Sequence, residues 1–324
     1  ALYDAMGKAI EEPAYKLFGQ KVRDRVPVAA WTRPAAPEDF ALEIQRAAQE
    51  GYTIFKMHSA AHHDVVEQTR AAQDAAPDGF KIHWDLNHNR PATSVLRIVE
   101  ELATYPVVGF LEDPLYPYDI EGWRLIRSKT MLPVLMHVPQ LGGGPEIQRD
   151  VADLYMIGEM GIGKSIQRGL AAAAAGLSIV IQITGGTLSK ALAMHLGAVV
   201  PNISHSTNLD DQYAEDITGG RLEISEGSSP VPSGPGLGIE VDEKILHELA
   251  ARPRSELPRH VGILHLPGGT SYYTPSIPSV ERITGFAEGN VRGVRSEVWN
   301  DDGSEDFAQI YDRVQQEGQI KKGT

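Results

Sequence analysis

The sequence predicts an α/β fold, a closed (β/α)8-type barrel followed by a smaller second unit. Three observations carry this. Eight short apolar runs recur along the first two-thirds of the 324-residue chain, amphipathic helical stretches separate them, and the pattern breaks near Gly219 into Gly- and Pro-rich sequence. Strand–helix alternation at this spacing marks parallel βαβ units, and eight of them favour a closed barrel over an open sheet. A doubly wound sheet would place a glycine-rich phosphate turn after an early strand. Gly142-Gly143-Gly144 follows the fifth run instead, lacks that spacing, and reads as a loop ahead of a short helix.

The elements follow in order. The chain opens without Met, inside what reads as one helix over residues 1–18. The apolar runs are 26–31, 53–57, 80–84, 107–111, 133–136, 154–157, 178–181 and 201–204, with helical stretches such as 37–50, 92–105 and 165–175 between them. Ala171 to Ala175 with Gly176 is too small-sided for a helix that merely solvates, so close packing between the sixth and seventh strands is expected. Residues 227–238 read as loop. After about Ala250 come short strand-like pieces and a polar helix over 306–316.

Composition limits the partners. The net charge of −13 argues against nucleic acid and anionic membrane. With no cysteine there are no disulfides and no thiolate metal sites, which fits a cytoplasmic location. The longest apolar run, 170–183, is interrupted by Gly176, Ser178 and Gln182 and is too short to span a bilayer. No signal-peptide pattern is visible.

In such a barrel the chemistry sits at the C-terminal ends of the strands. There the sequence reads Phe55-Lys56-Met57-His58, His83-Trp84-Asp85-Leu86-Asn87, Phe110-Leu111-Glu112-Asp113-Pro114 and Leu135-Met136-His137. Lys56, Asp85, Glu112 and His137 are spaced by 29, 27 and 25 residues, one βα unit each, so they should point into one bowl. Asp85, Glu112 and His137 could then ligate one divalent cation. Carboxylates suit magnesium, and the imidazole admits manganese, iron or zinc. A single strand-end carboxylate is more often a helix cap or surface ion pair, but three in register argue for a site. Lys56 and His58 share a parity and are placed to take a proton from a carbon next to a carboxylate. The plainer readings are an interior salt bridge for Lys56 and a hydrogen-bonded rim position for His58.

These residues carry a resemblance. Residues 1–9, Ala-Leu-Tyr-Asp-Ala-Met-Gly-Lys-Ala, are similar to the helix that opens the barrel domain of mandelate racemase, muconate lactonising enzyme and sugar-acid dehydratases. Lys56-Met57-His58 resembles their K-x-K, Asp85-Leu86-Asn87 their D-x-N, and Glu112-Asp113-Pro114 their E-[DE]-P. Gly236-Leu237-Gly238-Ile239-Glu240-Val241 resembles their GLGIE-type segment. The ordered set, over residues 1–245, resembles the enolase superfamily in its mandelate-racemase-like branch.

The resemblance implies a (β/α)7β barrel with a smaller α+β capping domain whose N-terminal part is expected to be missing here. Residues 1–20 would be the opening helix from the capping region, 21–245 the catalytic barrel, and 246–324 an extension completing the cap. Asp85 and Glu112 would be metal ligands, with His137 where the family usually has Glu and Mg2+ the default ion (Mn2+ or Zn2+ being compatible with the imidazole). Lys56 would polarise the substrate carboxylate, and His58 stands where the usual base, a second Lys, would be. Asn87 would contact substrate, with His83 and Gln182 as further candidates. Gly158 and Gln182 occupy the positions of the Asp–His pair that serves the second face. His205 lies near a position often held by Glu and is a candidate replacement acid.

The expected function is therefore a metal-dependent lyase that abstracts the α-proton of a hydroxy-carboxylate through an enediolate, dehydrating a sugar acid. The alternatives are an epimerase using the same abstraction and a non-catalytic scaffold or binding protein. A barrel hydrolase ranks last, since residues 26–31 carry no H-x-H. The expected partners are a small-molecule carboxylate and further copies of the chain.

Overall fold

The computed structural model describes residues 1–87, 90–139, 142–284 and 291–323. The chain opens with α1 (Leu2–Ala9) and reaches the barrel at β1 (Arg25–Thr32). Then come α2 (Pro37–Gln49) and β2 (Ile54–His58), α3 (Val65–Ala75) and β3 (Lys81–Asp85), α4 (Ala92–Leu102) and β4 (Val108–Glu112). They are followed by α5 (Ile120–Lys129) and β5 (Val134–Met136), α6 (Gly144–Gln148) and β6 (Leu154–Gly158), α7 (Ile162–Ala174) and β7 (Ser178–Gln182), α8 (Thr187–Val199) and β8 (Ile203–Thr207). Strands β1 to β8 are parallel neighbours in sequence order, and β1 pairs with both β8 and β2, which closes a (β/α)7β barrel. A short β9 (Ser228–Pro230) runs antiparallel along the start of β1.

The period of two along each strand divides the core into shells. Phe55, Met57, Ile82, Trp84, Ile179 and Ile181 face outward and meet helix residues such as Phe40 and Ile44. Leu135, Leu154, Met156 and Val180, with Phe110, fill the barrel interior. The polar side chains at the C-terminal ends share the inward parity, so strand position alone gathers them above this apolar plug. Local chemistry fixes the helix starts: Asp64 accepts from the backbone N–H groups of Val66 and Glu67 to cap α3, and Asp119 accepts from Gly122 to cap α5.

Three expectations need correction. The helix expected over 1–18 stops at Ala9. Glu11 takes a φ of 55° and Pro13 leads into a separate 3-10 turn, Ala14–Leu17. The eighth strand lies at 203–207, later than the expected 201–204, because Asn202, at φ 56°, still belongs to the turn. In α7 only the stripe Ser165, Gly169 and Ala172 is buried, while Ala171, Ala174 and Ala175 are exposed. The tight contact is Gly169, where a Cβ would stand 2.5 Å from Val200 Cγ1.

Beyond the exposed α9 (Glu243–Ala251) lies a second sheet, ordered β12 (Arg295–Asn300), β10 (His260–His265), β11 (Ser271–Thr274), β13 (Ile320–Lys322), all antiparallel. Helix α11 (Glu305–Glu317) sets Phe307, Ile310 and Val314 against Val261 and Ile263. Helix α10 (Ile277–Thr284) sets Val280 against Leu264. The unit meets the barrel at the loop after β2, where Arg292 Nε and Gly293 N donate to Asp64 and Ser296 Oγ lies 3.4 Å from His63 Nε2. Among the described residues no helix is long and apolar enough to cross a membrane.

Candidate active site

Each site side chain is delivered by a strand end. Register pairs His58 with Asp85 across β2 and β3, and Asp85 with Glu112 across β3 and β4, while His137 follows β5 directly. The result is one cluster. Asp85, Glu112 and His137 offer ligand atoms that lie within 4.8 Å of one another. Lys56 Nζ stands 2.7 Å from Glu112 Oε2 and 3.2 Å from Asp85 Oδ2, and donates to Gln182 Oε1 at 2.8 Å. His58 Nε2 is 3.2 Å from Asp85 Oδ2, and its ring meets Trp31 edge-on.

The electrostatics follow from these distances. Burial works against the Lys56 ammonium, but the charges of Glu112 and Asp85 outweigh it and raise its pKa. Burial likewise disfavours the Glu112 carboxylate, yet Lys56 and the neighbouring imidazoles hold it well below the usual range. Burial lowers His137 less than its contact with Glu112 raises it, to about 9. Burial lowers His58, which leaves it a neutral imidazole.

The residues fit a divalent cation. Glu112 is fully buried, and Lys56 Nζ, His83 Nε2 and His137 Nδ1 approach its oxygens at 2.7, 2.6 and 3.0 Å. None of the three meets it at a hydrogen-bonding angle, so both oxygens are buried without an aligned donor. Two carboxylates and one imidazole converging on a common point are a donor set for Mg2+, Mn2+ or Zn2+. Asp113 steadies the third ligand: its Oδ1 accepts from the backbone N–H of His137 at 3.0 Å.

At the rim, Asn87 adopts a φ of 54° and its Nδ2 donates to Ser59 O. Gln182 lines the bowl with its amide engaged. Its Oε1 accepts from Lys56 and Thr207, and its Nε2 donates to Glu159 Oε1 at 3.1 Å.

Two expected site residues lie elsewhere. His83 and His205 are both fully buried, one interior layer below the bowl, with His83 Nδ1 2.9 Å from His205 Nε2. His83 faces Glu112 with its other nitrogen, so it has no edge to offer a substrate. His205 falls in the middle of β8 because that strand starts later than expected, so it is not a rim acid. Burial, followed by the charges of His83 and Lys56, drives its pKa well below that of a free imidazole.

Glu159 was missed. It lies directly after β6, half-exposed, with Oε2 3.4 Å from His137 Nε2. Strand β6 is four places from β2 around the barrel, so Glu159 stands across the bowl from Lys56 and His58. Gly158 explains the displacement: its φ is 126°, and a Cβ there would be 2.2 Å from Gln182 O. The acidic side chain therefore comes one residue later. An acid beside a strand-end glycine, Gly158-Glu159, was the available signal.

Known proteins resemble this chain in sequence and fold. The chain is 28% identical over 280 residues to D-gluconate dehydratase of Thermoproteus tenax, covering 80% of this chain and 56% of that protein. It is 27% identical over 297 residues to D-xylonate dehydratase of Haloferax volcanii, covering 75% of this chain and 66% of that one. The crystal structure of N-succinyl Arg/Lys racemase from Bacillus cereus superposes with a TM-score of 0.67 at 27% identity, covering 77% of this chain and 69% of that one. This chain thus spans little more than half of the first of these relatives. The enolase C-terminal domain-like family profile matches residues 39–245, which hold β2 through β9 and every member of the cluster, and the chain belongs to that family.

Proposed function

We propose that this chain is the barrel of a metal-dependent lyase that removes the α-proton of a hydroxy-carboxylate and expels the β-hydroxyl, dehydrating a sugar acid. The observation that carries this reading is the convergence of Asp85, Glu112 and His137 within 4.8 Å beside Lys56 and His58. Asp85, Glu112 and His137 would hold a divalent cation, with Mg2+ the first choice, and the bound cation would neutralise the substrate carboxylate and make the α-proton acidic. Lys56, kept charged by its neighbours, orients the same carboxylate. His58, neutral and partly exposed, takes the proton. The proton held on His58 passes to the departing β-hydroxyl, which leaves as water, and the enol that remains tautomerises to a 2-keto-3-deoxy acid. A cavity of about 300 Å3 lined by Val138, Met160 and Arg168 opens beside His137 and Glu159 and offers room for the rest of the substrate. The C-terminal α+β unit, seated on the loop after β2, would form part of the wall that selects it. The dehydratase relatives support elimination.

Epimerisation is the second reading, and Glu159 favours it, because a group that can move protons on both sides of the bowl is what exchange at the α-carbon requires. One experiment separates the readings. The protein is incubated with Mg2+ and a panel of acid sugars in deuterium oxide. A 2-keto-3-deoxy product is expected, with the rate reduced about 10²–10⁴-fold by His58→Ala. Appearance of the α-deuterated opposite epimer would establish the second reading. Turnover of none of the acids, with metal bound, would leave a binding protein built on an altered site.

A further inference from the structure

A guanidinium withdrawn from water needs acceptors, because a buried polar group without a partner is costly. Among the described residues six arginines are buried or half-buried: Arg23, Arg25, Arg46, Arg90, Arg127 and Arg168. The others are satisfied. Arg23 and Arg90 donate to backbone carbonyls, Arg25 to Ser228, and Arg46 and Arg127 to carboxylates. Arg168 has no hydrogen bond or ion pair among the described residues.

Its position gives that free group a use. Arg168 lies in the second turn of α7, and α7 begins four residues after β6 ends, so its N-terminus sits at the end of the barrel that carries the bowl. Helical side chains lean toward the N-terminus, which brings the guanidinium up behind β6. There it lines the cavity of about 300 Å3 that opens beside His137 and Glu159. It also lines a second cavity, of about 350 Å3, between α6 and α7. The two cavities have Pro139, Met156, Ile157 and Arg168 in common, so Arg168 stands at their junction. Apart from His137 and Glu159 the rest of the first wall is apolar, the form of a small-molecule pocket with one placed charge. Glu159 is engaged by Gln182 and faces His137. Lys164, one turn earlier on α7, lines the second cavity and adds positive charge.

We propose that Arg168 is a specificity-determining residue that holds a second anionic group, a carboxylate or a phosphate, at the far end of the acid sugar. The inference rests on the functional reading above, which places the first carboxylate at Asp85, Glu112 and His137. With that end fixed, the rest of the molecule extends from the bowl past Glu159 into the cavity where Arg168 lies. A guanidinium presents a planar fork that matches two oxygens of a carboxylate or a phosphate. A neutral hydroxymethyl end would leave that fork unpaired, and a site built to pair with a group discriminates against the analogue that lacks it. The substrate class is therefore a dianionic sugar acid, an aldarate or a phosphorylated aldonate.

The test uses the whole chain with Mg2+ and acids that differ only at the far carbon: a hexonate, the matching hexarate and the matching 6-phosphohexonate, in the gluco and galacto series. Wild type is expected to turn over one dianion with a kcat/KM about 10–100-fold above that of the hexonate, the difference lying in KM. Whether the hexarate or the phosphate is preferred identifies the group. Arg168→Met, checked for folding by circular dichroism, is expected to remove the preference, and Arg168→Gln serves in its place should the Met variant not fold. Equal kcat/KM for the hexonate and both dianions in wild type, or a preference that survives in the folded variant, overturns the inference and leaves the lyase reading standing. Where no acid is turned over, the lyase reading fails, and dissociation constants of the same acids by calorimetry decide the inference. Tighter binding of a dianion that Arg168→Met abolishes upholds it, and any other result overturns it.

Discussion

Lys56 is the residue on which the charge balance of the bowl depends. Its side chain is fully buried, and it faces two carboxylates, one of them fully buried. Removing one partner of a buried ionic cluster costs about 3–5 kcal/mol, because the remaining charges stay uncompensated. Lys56→Ala is therefore expected to lower stability by that amount in metal-free buffer, measured by urea unfolding. Added Mn2+ should restore part of the loss, since a cation between Asp85, Glu112 and His137 replaces the missing charge. Lys56, His58, Asp85, Glu112 and His137 were all legible in the sequence, because a strand-end position and a shared parity fix both location and direction. His83 was not: parity says that it points inward, but not how deep it lies. Glu159 escaped because the backbone at Gly158 admits no side chain, which moved the acid off the position where one was sought.

At the scale of elements, all eight barrel strands were readable, but the polar one was placed too early. β8 runs Ile-Ser-His-Ser-Thr, with little of the hydrophobic signal that marked β2 or β7. The register shift between β7 and β8 at Ile179 and Val180 adds to the offset that brought His205 inside. The small-residue stretch in α7 shows a similar limit, since composition predicted contact but the helical period chose Gly169 and Ala172 for it. The loop after β2 carries a pH prediction. His63 is buried against the second unit, and burial followed by the neighbouring His62 depresses its pKa to about 3. Its folded pKa lies below the unfolded value near 6.5, so the unfolded chain binds the extra proton first and stability falls with pH across that window. Between pH 7 and pH 5 this group alone removes about 2 kcal/mol. Urea midpoints at the two pH values should therefore drop further for wild type than for His63→Asn; equal drops would show that His63 is not held neutral.

For the molecule as a whole, strand–helix alternation revealed the barrel, and the Gly- and Pro-rich break revealed where it ends. The arrangement of the second unit was beyond reach, because its antiparallel pairings join β10 to β12 and β11 to β13 across long separations that no local pattern encodes. Nor could the sequence show that Arg292 and Gly293 would clasp the Asp64 cap of α3 and so tie that unit to the barrel. The assembly places one cluster of two carboxylates and an imidazole above an apolar plug, and the account turns on what that cluster holds. The most direct measurement is the thermal shift of the protein on adding Mn2+ or Mg2+, made in parallel on Asp85→Asn. A ligand that binds only the folded chain raises its stability by RT ln(1 + [L]/Kd), about 2.7 kcal/mol at a hundredfold excess over Kd. The account predicts a saturable upward shift for wild type, fitted by one ion per chain, and none for Asp85→Asn. No shift with either ion in wild type, or an equal shift in Asp85→Asn, would contradict it.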